Sequence, residues 1–296
     1  SARIGASIIM ALAIVTYSLA FHQIEKARGE QGLYEPGGAL LPLPMARVLL
    51  GGFDGIASDL LFIKTAAFVQ GRLTHQKPPS AKEWEWVAGL LDRVTDLDPY
   101  FLDPYYFIQA FLTWNAGKID EANALLDKAR RHRPEMWIFP FFIGFNHFYF
   151  LQQSGPASTY MMEASRKEGS PPYLAGLAAR LAVRGNETQT AVEFLREAIP
   201  RINDEGMKKI LSVRLEAFEH ALKLEKAVAE YRLKYGRLPP DVSVLVKTGL
   251  LPSIPVDPYG GTFYLDEEGR IKTTSDYQYP RPTGSSVPQR LSRSSA

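Results

Sequence analysis

The stretch LDPYFLDPYYFIQAFLTWNAGKIDEANALLDKARRHRP, residues 97–134, is the part of the sequence that best defines the fold. Asn115-Ala116-Gly117 form a turn signal in its middle, with helix-forming residues on both sides. Pro99 and Pro134 stand near its two ends, where prolines close a helical unit. The stretch therefore predicts two helices joined by a tight turn.

Alanine recurs through the chain at a nearly constant interval. Two sets share this spacing: Ala88, Ala122, Ala157 and Ala191, then Ala129, Ala164 and Ala198. Members of the first set are 34, 35 and 34 residues apart, and each member of the second follows its partner by seven. A large apolar residue stands between the alanines of each pair: Leu126, Met161 and Leu195. We expect the small residues to allow close helix approach and the large ones to fill the groove.

A period near 34 residues is that of the tetratricopeptide repeat, a helix–turn–helix unit. Residues 81–201 resemble that family, with Trp114 and Gly117 near the positions of its first-helix aromatic and glycine. Ser154-Gly155 and Arg184-Gly185-Asn186 supply the turns of the later units. The resemblance implies a right-handed helical solenoid, abbreviated here as TPR-like, that binds protein partners.

The full prediction is an all-α, TPR-like right-handed helical solenoid with an N-terminal transmembrane helix and a small C-terminal β-hairpin. The TPR-like repeats are assigned to residues 45–201 and a long, charged, amphipathic helix to residues 202–235. A long last helix often covers the apolar end of a repeat array. A coiled-coil contact with another subunit is the alternative interpretation of this helix.

One continuous helix is predicted from Met45 to about Leu73. Its apolar positions keep a spacing of three to four residues: Val48, Leu49, Gly52, Phe53, Ile56, Leu60 and Ile63. Asp54 and Asp59 lie within the same segment. They are interpreted as a solvated or ion-paired face, and a polar site near the membrane is the alternative.

Residues 4–21, IGASIIMALAIVTYSLAF, contain no charged residue. As a helix they would extend roughly 27 Å, enough to cross the hydrocarbon layer of a bilayer. We assign residues 1–28 as a transmembrane anchor and residues 29–44, which are rich in Gly and Pro, as a linker. A buried core helix or a cleaved signal peptide is the alternative, although YSLAFHQ fits a cleavage site poorly.

Residues 236–274 predict a hairpin, and residues 275–296 a low-complexity tail rich in Ser, Pro and Arg. The pattern that leads into the hairpin consists of Tyr231, Tyr235, Gly236, Pro239, Leu245, Gly249, Pro255, Asp257, Pro258, Tyr259, Gly260 and Tyr264. In order and spacing it resembles the C-terminal half of the major pseudopilins of type II secretion. This resemblance implies a location in the periplasm or outside the cell. Pseudopilins carry a glutamate near the start of their anchor helix, and residues 4–21 contain none.

The hairpin is expected to alternate at Phe263, Tyr264 and Leu265 and to turn at Glu268-Gly269. The pseudopilin resemblance also implies a calcium site near this segment. Its candidate ligands are the carboxylates of Asp257, Asp266, Glu267 and Glu268, because calcium prefers oxygen donors. An acidic turn that faces solvent is the simpler interpretation of the same residues.

Composition and motifs argue against an enzyme. The 296 residues include no cysteine, and the net charge of +2 sets up no field to attract nucleic acid. The five histidines are isolated in sequence, and neither a phosphate-binding loop nor G-x-S-x-G occurs. We therefore predict no catalytic residue, no cofactor and no metal. His147 is interpreted as a core or groove residue, with ligand binding as the alternative.

Aromatic residues are the candidates for partner binding, and the richest run extends from Trp137 to Phe150. The predicted contact residues are Trp114, Trp137, Phe141, Phe145, Tyr149, Tyr259 and Tyr264. A run this aromatic exceeds what one helix easily hides, so an exposed binding face is expected. Simple core packing is the alternative for the same residues.

Together these features predict a non-enzymatic, membrane-anchored scaffold or accessory subunit. It would bind protein partners in a bacterial cell-envelope assembly such as secretion, pilus or transport machinery. We expect a single pass through the inner membrane, with the bulk of the chain in the periplasm and homo-oligomerisation as a further option. One alternative is a self-assembling filament or surface subunit. A weaker one is an enzyme that uses Asp54 and Asp59.

Overall fold

The structure, a computed structural model, describes residues 41–278. It is mostly helical and ends in a small antiparallel two-stranded sheet, as the sequence predicts. Two compact units divide the chain, the first ending at Arg133 and the second beginning at Pro134. The predicted anchor at residues 4–21 lies outside the described residues, as do most of the linker and most of the tail.

The first unit is built around one central helix. Its elements are α1 (Leu43–Leu50), α2 (Asp54–Thr74), α3 (Ala81–Leu97), α4 (Asp103–Phe107), a π-helical turn (Ile108–Leu112) and α5 (Ile119–His132). Among residues 41–133, helix α3 contacts each of the other four α-helices. It begins at a capping box, in which the Ser80 hydroxyl accepts from the Glu83 amide and the Glu83 carboxylate accepts from the Ser80 amide.

The single helix predicted from Met45 to Leu73 is wrong, because the chain breaks between α1 and α2. Gly51 and Gly52 adopt positive φ angles of 58° and 94°. The Gly51 amide donates to the Arg47 carbonyl and closes α1 as a left-handed C-cap. Two adjacent glycines adopt this conformation at little steric cost, so the apolar spacing continues across a backbone that does not stay helical.

The second unit is a succession of helices that ends in the hairpin. Its elements are α6 (Ile138–Tyr149), α7 (Ser154–Ser165), α8 (Tyr173–Arg184), α9 (Thr188–Ala198), a 3₁₀ turn (Ile199–Arg201), α10 (Glu205–Tyr235), α11 (Ser243–Lys247), β1 (Phe263–Leu265) and β2 (Ile271–Thr273). Each helix from α6 to α9 packs against the next one along the chain, and α9 packs against α10. The starts of α6 and α8 are 35 residues apart, and those of α7 and α9 are 34 apart.

Three of the four recurring alanines of the second unit are fully buried, and the fourth, Ala198, is partly buried. Ala157, Ala164 and Ala191 have no exposed surface, and Met161 between the first two is 1% exposed. Gly144 of α6 shows how tight the contact is. A Cβ atom at Gly144 would lie 3.1 Å from both the Ala157 carbonyl oxygen and the Met161 Cγ. Small residues are therefore required here for helices to pack at short distance.

The turn predicted at Ser154-Gly155 is wrong, because both residues begin α7. The connection from α6 lies just before them, and Gln152 adopts the left-handed conformation there, with φ of 56°. The Gln153 amide donates to the His147 carbonyl at 2.8 Å and closes the end of α6. The predicted turn at 184–186 does separate α8 from α9.

The long helix α10 fills most of the segment predicted as helical over 202–235. It begins at Asp204, whose Oδ1 accepts from the Met207 amide at 2.6 Å, and it ends at Gly236, which has φ of 68°. An acidic N-cap and a left-handed glycine at the C-cap are standard helix boundaries. Helix α10 contacts α8, α9, α11 and β2, so it joins the helical part of the unit to the hairpin.

The predicted hairpin is confirmed. Phe263 pairs with Thr273, Tyr264 with Lys272 and Leu265 with Ile271 in antiparallel register. Phe263 and Ile271 are buried, whereas Tyr264 is 45% exposed. Successive side chains of a strand point to opposite faces, which explains why one face of this short hairpin joins the core.

Among the helices between residues 41 and 278, none is both long enough and apolar enough to cross a membrane.

Candidate partner-binding site

The predicted aromatic residues of α6 form a ladder along one side of that helix. We use the term aromatic ladder for Trp137, Phe141, Phe145 and Tyr149. Their ring centroids are separated by 5.7, 6.3 and 5.4 Å in chain order, and the last two rings are stacked. Residues four apart lie on one side of a helix, so the sequence spacing itself produces the ladder.

The ladder lies at the boundary between core and solvent. Trp137, Phe141 and Phe145 are partly buried and pack against the core of the second unit, while Tyr149 is 49% exposed. The opposite side of α6 is buried through Phe139 and Ile143. Three rings of the ladder are thus held by the core while part of their surface stays accessible, and the fourth ring is exposed.

His147 lies beside the ladder and takes part in a local packing arrangement. Its Nδ1 is 2.8 Å from the Gln153 side-chain oxygen, and its ring stacks on Tyr160 with centroids 5.6 Å apart. These contacts orient the imidazole between α6 and α7. They fit the interpretation of His147 as a core or groove residue.

A basic cavity of about 420 Å³ lies between α8 and the hairpin. Arg180, Arg184 and Lys272 supply its cationic groups, Asp276 contributes a carboxylate, and Phe148 of α6 lies in its wall. Burial, followed by the charge of Arg214, lowers the pKa of Arg180 below its ordinary value. Clustered cations that repel one another favour an anionic partner.

Glu225 of α10 lies close to this basic cavity. The Thr188 hydroxyl donates to its carboxylate at 2.6 Å. Burial raises the pKa of Glu225, while that hydrogen bond and the charge of Lys272 act in the opposite direction. The raised pKa means that the folded protein disfavours the ionised carboxylate relative to the unfolded chain.

We expect Glu225→Gln to raise the melting temperature at pH 7.5. A raised folded pKa contributes stability that is complete below the unfolded pKa, about 4.3, and is lost as the pH rises through the folded pKa. Glutamine keeps an acceptor for Thr188 and does not ionise. The gain should therefore disappear near pH 4. Its expected size is roughly 2–4 °C, the shift that about 1 kcal/mol gives in a domain of this length.

Thermal unfolding of both proteins between pH 4 and pH 8 measures this difference. Glu216→Gln serves as a matched control, because it makes the same exchange at an exposed position of α10. A melting temperature for Glu225→Gln that is lower than the parent's at pH 7.5 would show that Lys272 stabilises the ionised carboxylate more than burial destabilises it.

The remaining predicted contact residues are placed differently from one another. Trp114, in the first unit, is 53% exposed. Tyr264 is 45% exposed and lines the basic cavity, next to its strand partner Lys272. Tyr259 is only 4% exposed and belongs to the core of the second unit. The second unit therefore contains the aromatic ladder, Tyr264 and the basic cavity.

Two of the carboxylates considered as calcium ligands, those of Asp257 and Asp266, form hydrogen bonds or ion pairs with residues of their own segment. Asp257 is buried and accepts from the Tyr259 amide at 2.8 Å and the Ser275 hydroxyl at 2.6 Å. Asp266 accepts from the Arg270 amide at 2.8 Å and forms an ion pair with its side chain. Within residues 41–278, no three His, Asp or Glu side chains are grouped in a way that would hold a metal ion.

Asp54 and Asp59, the candidates for a polar site, do not share a partner in the first unit. Asp54 lies 4.0 Å from the Arg47 guanidinium, and Asp59 is on the exposed side of α2. The Arg47 side chain also donates to the Asp96 carbonyl at 2.9 Å. Asp54 thus belongs to the contacts that hold α1 and α2 beside α3.

Sequence reasoning missed the basic cavity altogether. Its cations come from α8 and β2, which are about 90 residues apart in the chain. No local motif connects such positions. The only available signal was Arg180 and Arg184, one helical turn apart at the end of α8.

The sequence matches no protein-family model, and no curated protein matches it at a significant level.

Proposed function

We propose that this chain is a non-enzymatic, membrane-anchored scaffold subunit that binds protein partners in a bacterial cell-envelope assembly. Residues 4–21 would anchor it in the inner membrane, and the pseudopilin-like segment favours a periplasmic location for the rest. The observation that carries the proposal is the aromatic ladder, in which three partly buried rings pack against the core and the exposed Tyr149 ring stacks on Phe145.

The helix succession supports a TPR-like architecture. Helices α6 to α9 pack in chain order and bury alanines at their contacts, and alternate helices start 34 or 35 residues apart. Repeats of this kind use one side of each helical pair for neighbours and leave another side for a ligand. In this proposal α6 is the first helix of a repeat, and the ladder lies on its partner-binding side.

The partner's chemistry follows from the two features of the second unit. The ladder suits apolar and aromatic side chains, and the basic cavity suits acidic ones. Aromatic residues are frequent among the few positions that dominate binding energy at protein interfaces. A partner segment that carries apolar residues together with Asp or Glu would complement both features.

We expect Tyr149→Ala to weaken partner binding by about tenfold, the loss that corresponds to roughly 1.4 kcal/mol. Tyr149 is the most exposed ring of the ladder but stacks on Phe145, so its removal should lower the free energy of unfolding by about 1 kcal/mol or less. Tyr173→Ala is the matched control, because Tyr173 is 54% exposed in the same unit but lies on α8, outside the ladder.

The measurement has two stages. Gentle detergent extraction of the intact anchored chain, with mass spectrometry of the co-purifying proteins, identifies a stoichiometric envelope partner. Binding of that partner to the parent, Tyr149→Ala and Tyr173→Ala chains is then compared at equal concentration. Equal affinity of all three would remove the ladder from the site. Recovery of the chain alone, in large polymers, would favour the filament alternative.

A further inference from the structure

The first two helices expose their apolar side chains instead of burying them. Seven large apolar residues of α1, α2 and the turn between them are each more than half exposed: Met45, Val48, Leu49, Phe53, Ile56, Leu60 and Ile63. Val48 reaches 82% exposure, and no residue of α1 is buried. A contiguous run of this size on a folded surface marks an interaction site.

The inner side of α2 is polar where the outer side is apolar. In its first three turns the buried residues are Ser58 and Thr65, and the Ser58 hydroxyl donates to the Val94 carbonyl of α3 at 2.9 Å. Thr65 donates to the Leu61 carbonyl of its own helix. A helix that only served this unit's core would place its apolar side inward. The fully buried positions in the first half of α2 are polar instead, whereas Phe68 and Val69 are buried farther along the helix. The outer side of that first half is therefore adapted to apolar surroundings.

The apolar character fades along α2 with distance from the N-terminus. The outward side follows a spacing of four and three residues: Ile56, Leu60, Ile63, Ala67, Gln70 and Thr74. Its first three members are large and apolar, and its last two are polar. Apolar surroundings of α2 would therefore end near Ala67. The edge of a lipid layer at this position would produce such a change from apolar to polar side chains.

The charges on these helices are nearly balanced. Residues 43–74 contain Arg47, Lys64 and Arg72 against Asp54 and Asp59, and Arg72 pairs with Glu83 of α3. Helices that bind membranes by electrostatic attraction carry many Lys and Arg residues. Contact made by α1 and α2 would therefore depend on apolar burial and hardly on the charge of the lipid.

We propose that α1 and the first half of α2 lie on the surface of a lipid bilayer, with their exposed apolar side chains at the boundary of head groups and acyl chains. The inference rests on the proposed function for one element, the anchor at residues 4–21. Residues 22–40 join that segment to the described chain, so the apolar helices follow the anchor after a short connection. Insertion of roughly 5–10 Å is expected for such a contact.

The chain contains no cysteine, which makes a site-by-site test clean. Four single variants each place one thiol in the first unit. Val48→Cys labels α1, Ile56→Cys labels the start of α2, and Gln70→Cys labels the end of α2. Tyr100→Cys labels an exposed control position. Leu12→Cys places a thiol in the anchor. Each 296-residue chain is labelled with an environment-sensitive fluorophore and reconstituted into phosphatidylcholine vesicles. Lipids with a spin label near the head group or deep in the acyl chain then quench the probe.

We expect the lipid labelled near its head group to quench the probes at positions 48 and 56 strongly and those at positions 70 and 100 only a little. Replacing part of the neutral lipid with phosphatidylglycerol should change the result little. Circular dichroism checks that each variant is folded. The lipid contact is refuted if the probes at positions 48 and 56 are quenched no more than the probe at position 100.

Three further outcomes separate this proposal from a contact with a second copy and from the anchor. Efficient disulfide dimers of Ile56→Cys on oxidation, without quenching by lipid, would assign the face to a second copy and overturn the lipid contact. The anchor is tested independently by the probe at position 12 and the lipid labelled deep in its acyl chain. Quenching at 12 without quenching at 48 and 56 would refute this inference and leave the proposed function standing, whereas no quenching at 12 would remove the anchor itself.

Discussion

Replacing Gly144 with leucine is expected to lower the free energy of unfolding by about 2–3 kcal/mol, with loss of the α6–α7 contact. Even a Cβ atom at this position would lie 3.1 Å from the Ala157 carbonyl oxygen and 3.2 Å from the Tyr160 Cβ. Leucine adds three more carbon atoms in the same direction. The two helices must then separate, which exposes the alanine contacts of α7.

Gly89→Leu is the matched control for this substitution. Gly89 is also a helical glycine, in α3, but a Cβ atom there meets nothing within 4 Å. Leucine favours helix over glycine by up to about 1 kcal/mol, so the control should be neutral or slightly stabilised. Guanidinium unfolding followed by circular dichroism measures both. Equal stability of the two variants would show that the α6–α7 contact relaxes without loss.

Asp257→Ala is expected to cost about 3 kcal/mol or more and to detach the hairpin from the core. The carboxylate is 2% exposed and accepts from the Tyr259 amide and from the hydroxyls of Thr273 and Ser275. These donors belong to the turn before β1 and to the end of β2. Alanine leaves them buried without an acceptor, and the cost of unsatisfied donors is larger than the net gain from the bonds themselves.

Glu267→Ala provides the comparison for Asp257→Ala. Glu267 is an exposed carboxylate in the hairpin turn, so its removal should change stability by less than about 0.5 kcal/mol. Asp257→Asn should fall between the two, because its side-chain oxygen still accepts one bond. Unfolding in guanidinium, with near-ultraviolet circular dichroism to follow the tyrosines, measures all three. An Asp257→Ala chain as stable as Glu267→Ala would contradict this account of the turn.

The alanine period predicted the helical pairs well because the physical requirement is local and strict. Close approach of two helices tolerates only small side chains, so Ala157, Ala164 and Ala191 record the contact directly in the sequence. The hairpin was predicted for a similar reason, since short alternating strands around Glu268-Gly269 leave few other structures.

Periodicity could not predict which side of α1 and α2 is covered. A spacing of three to four residues shows that Val48, Ile56 and Leu60 share a side, but it does not show whether the core covers that side. In the structure these residues are exposed, and Ser58 faces α3 and donates to the Val94 carbonyl. The break at Gly51 was missed as well, because glycine is compatible with a helix interior at moderate cost.

Tyr259 and Tyr264 illustrate a second limit of the sequence. Both are tyrosines of the pseudopilin-like pattern, yet Tyr259 is in the core and Tyr264 is on the outer face of β1. Their environments depend on how the hairpin docks on α10, a tertiary contact that local patterns do not encode. The basic cavity is invisible to the sequence for the same reason, since it exists only once α8 and β2 come together.

The left-handed glycines after α1 limit that helix to eight residues, which affects its stability. An eight-residue helix is marginal in water by itself, and α1 buries no side chain that would compensate. Its local opening free energy should therefore be close to zero whenever its outer side is uncovered, and its amide hydrogens should exchange within seconds. Covering that side would couple helix formation to contact, so that α1 would form fully only where the chain is docked.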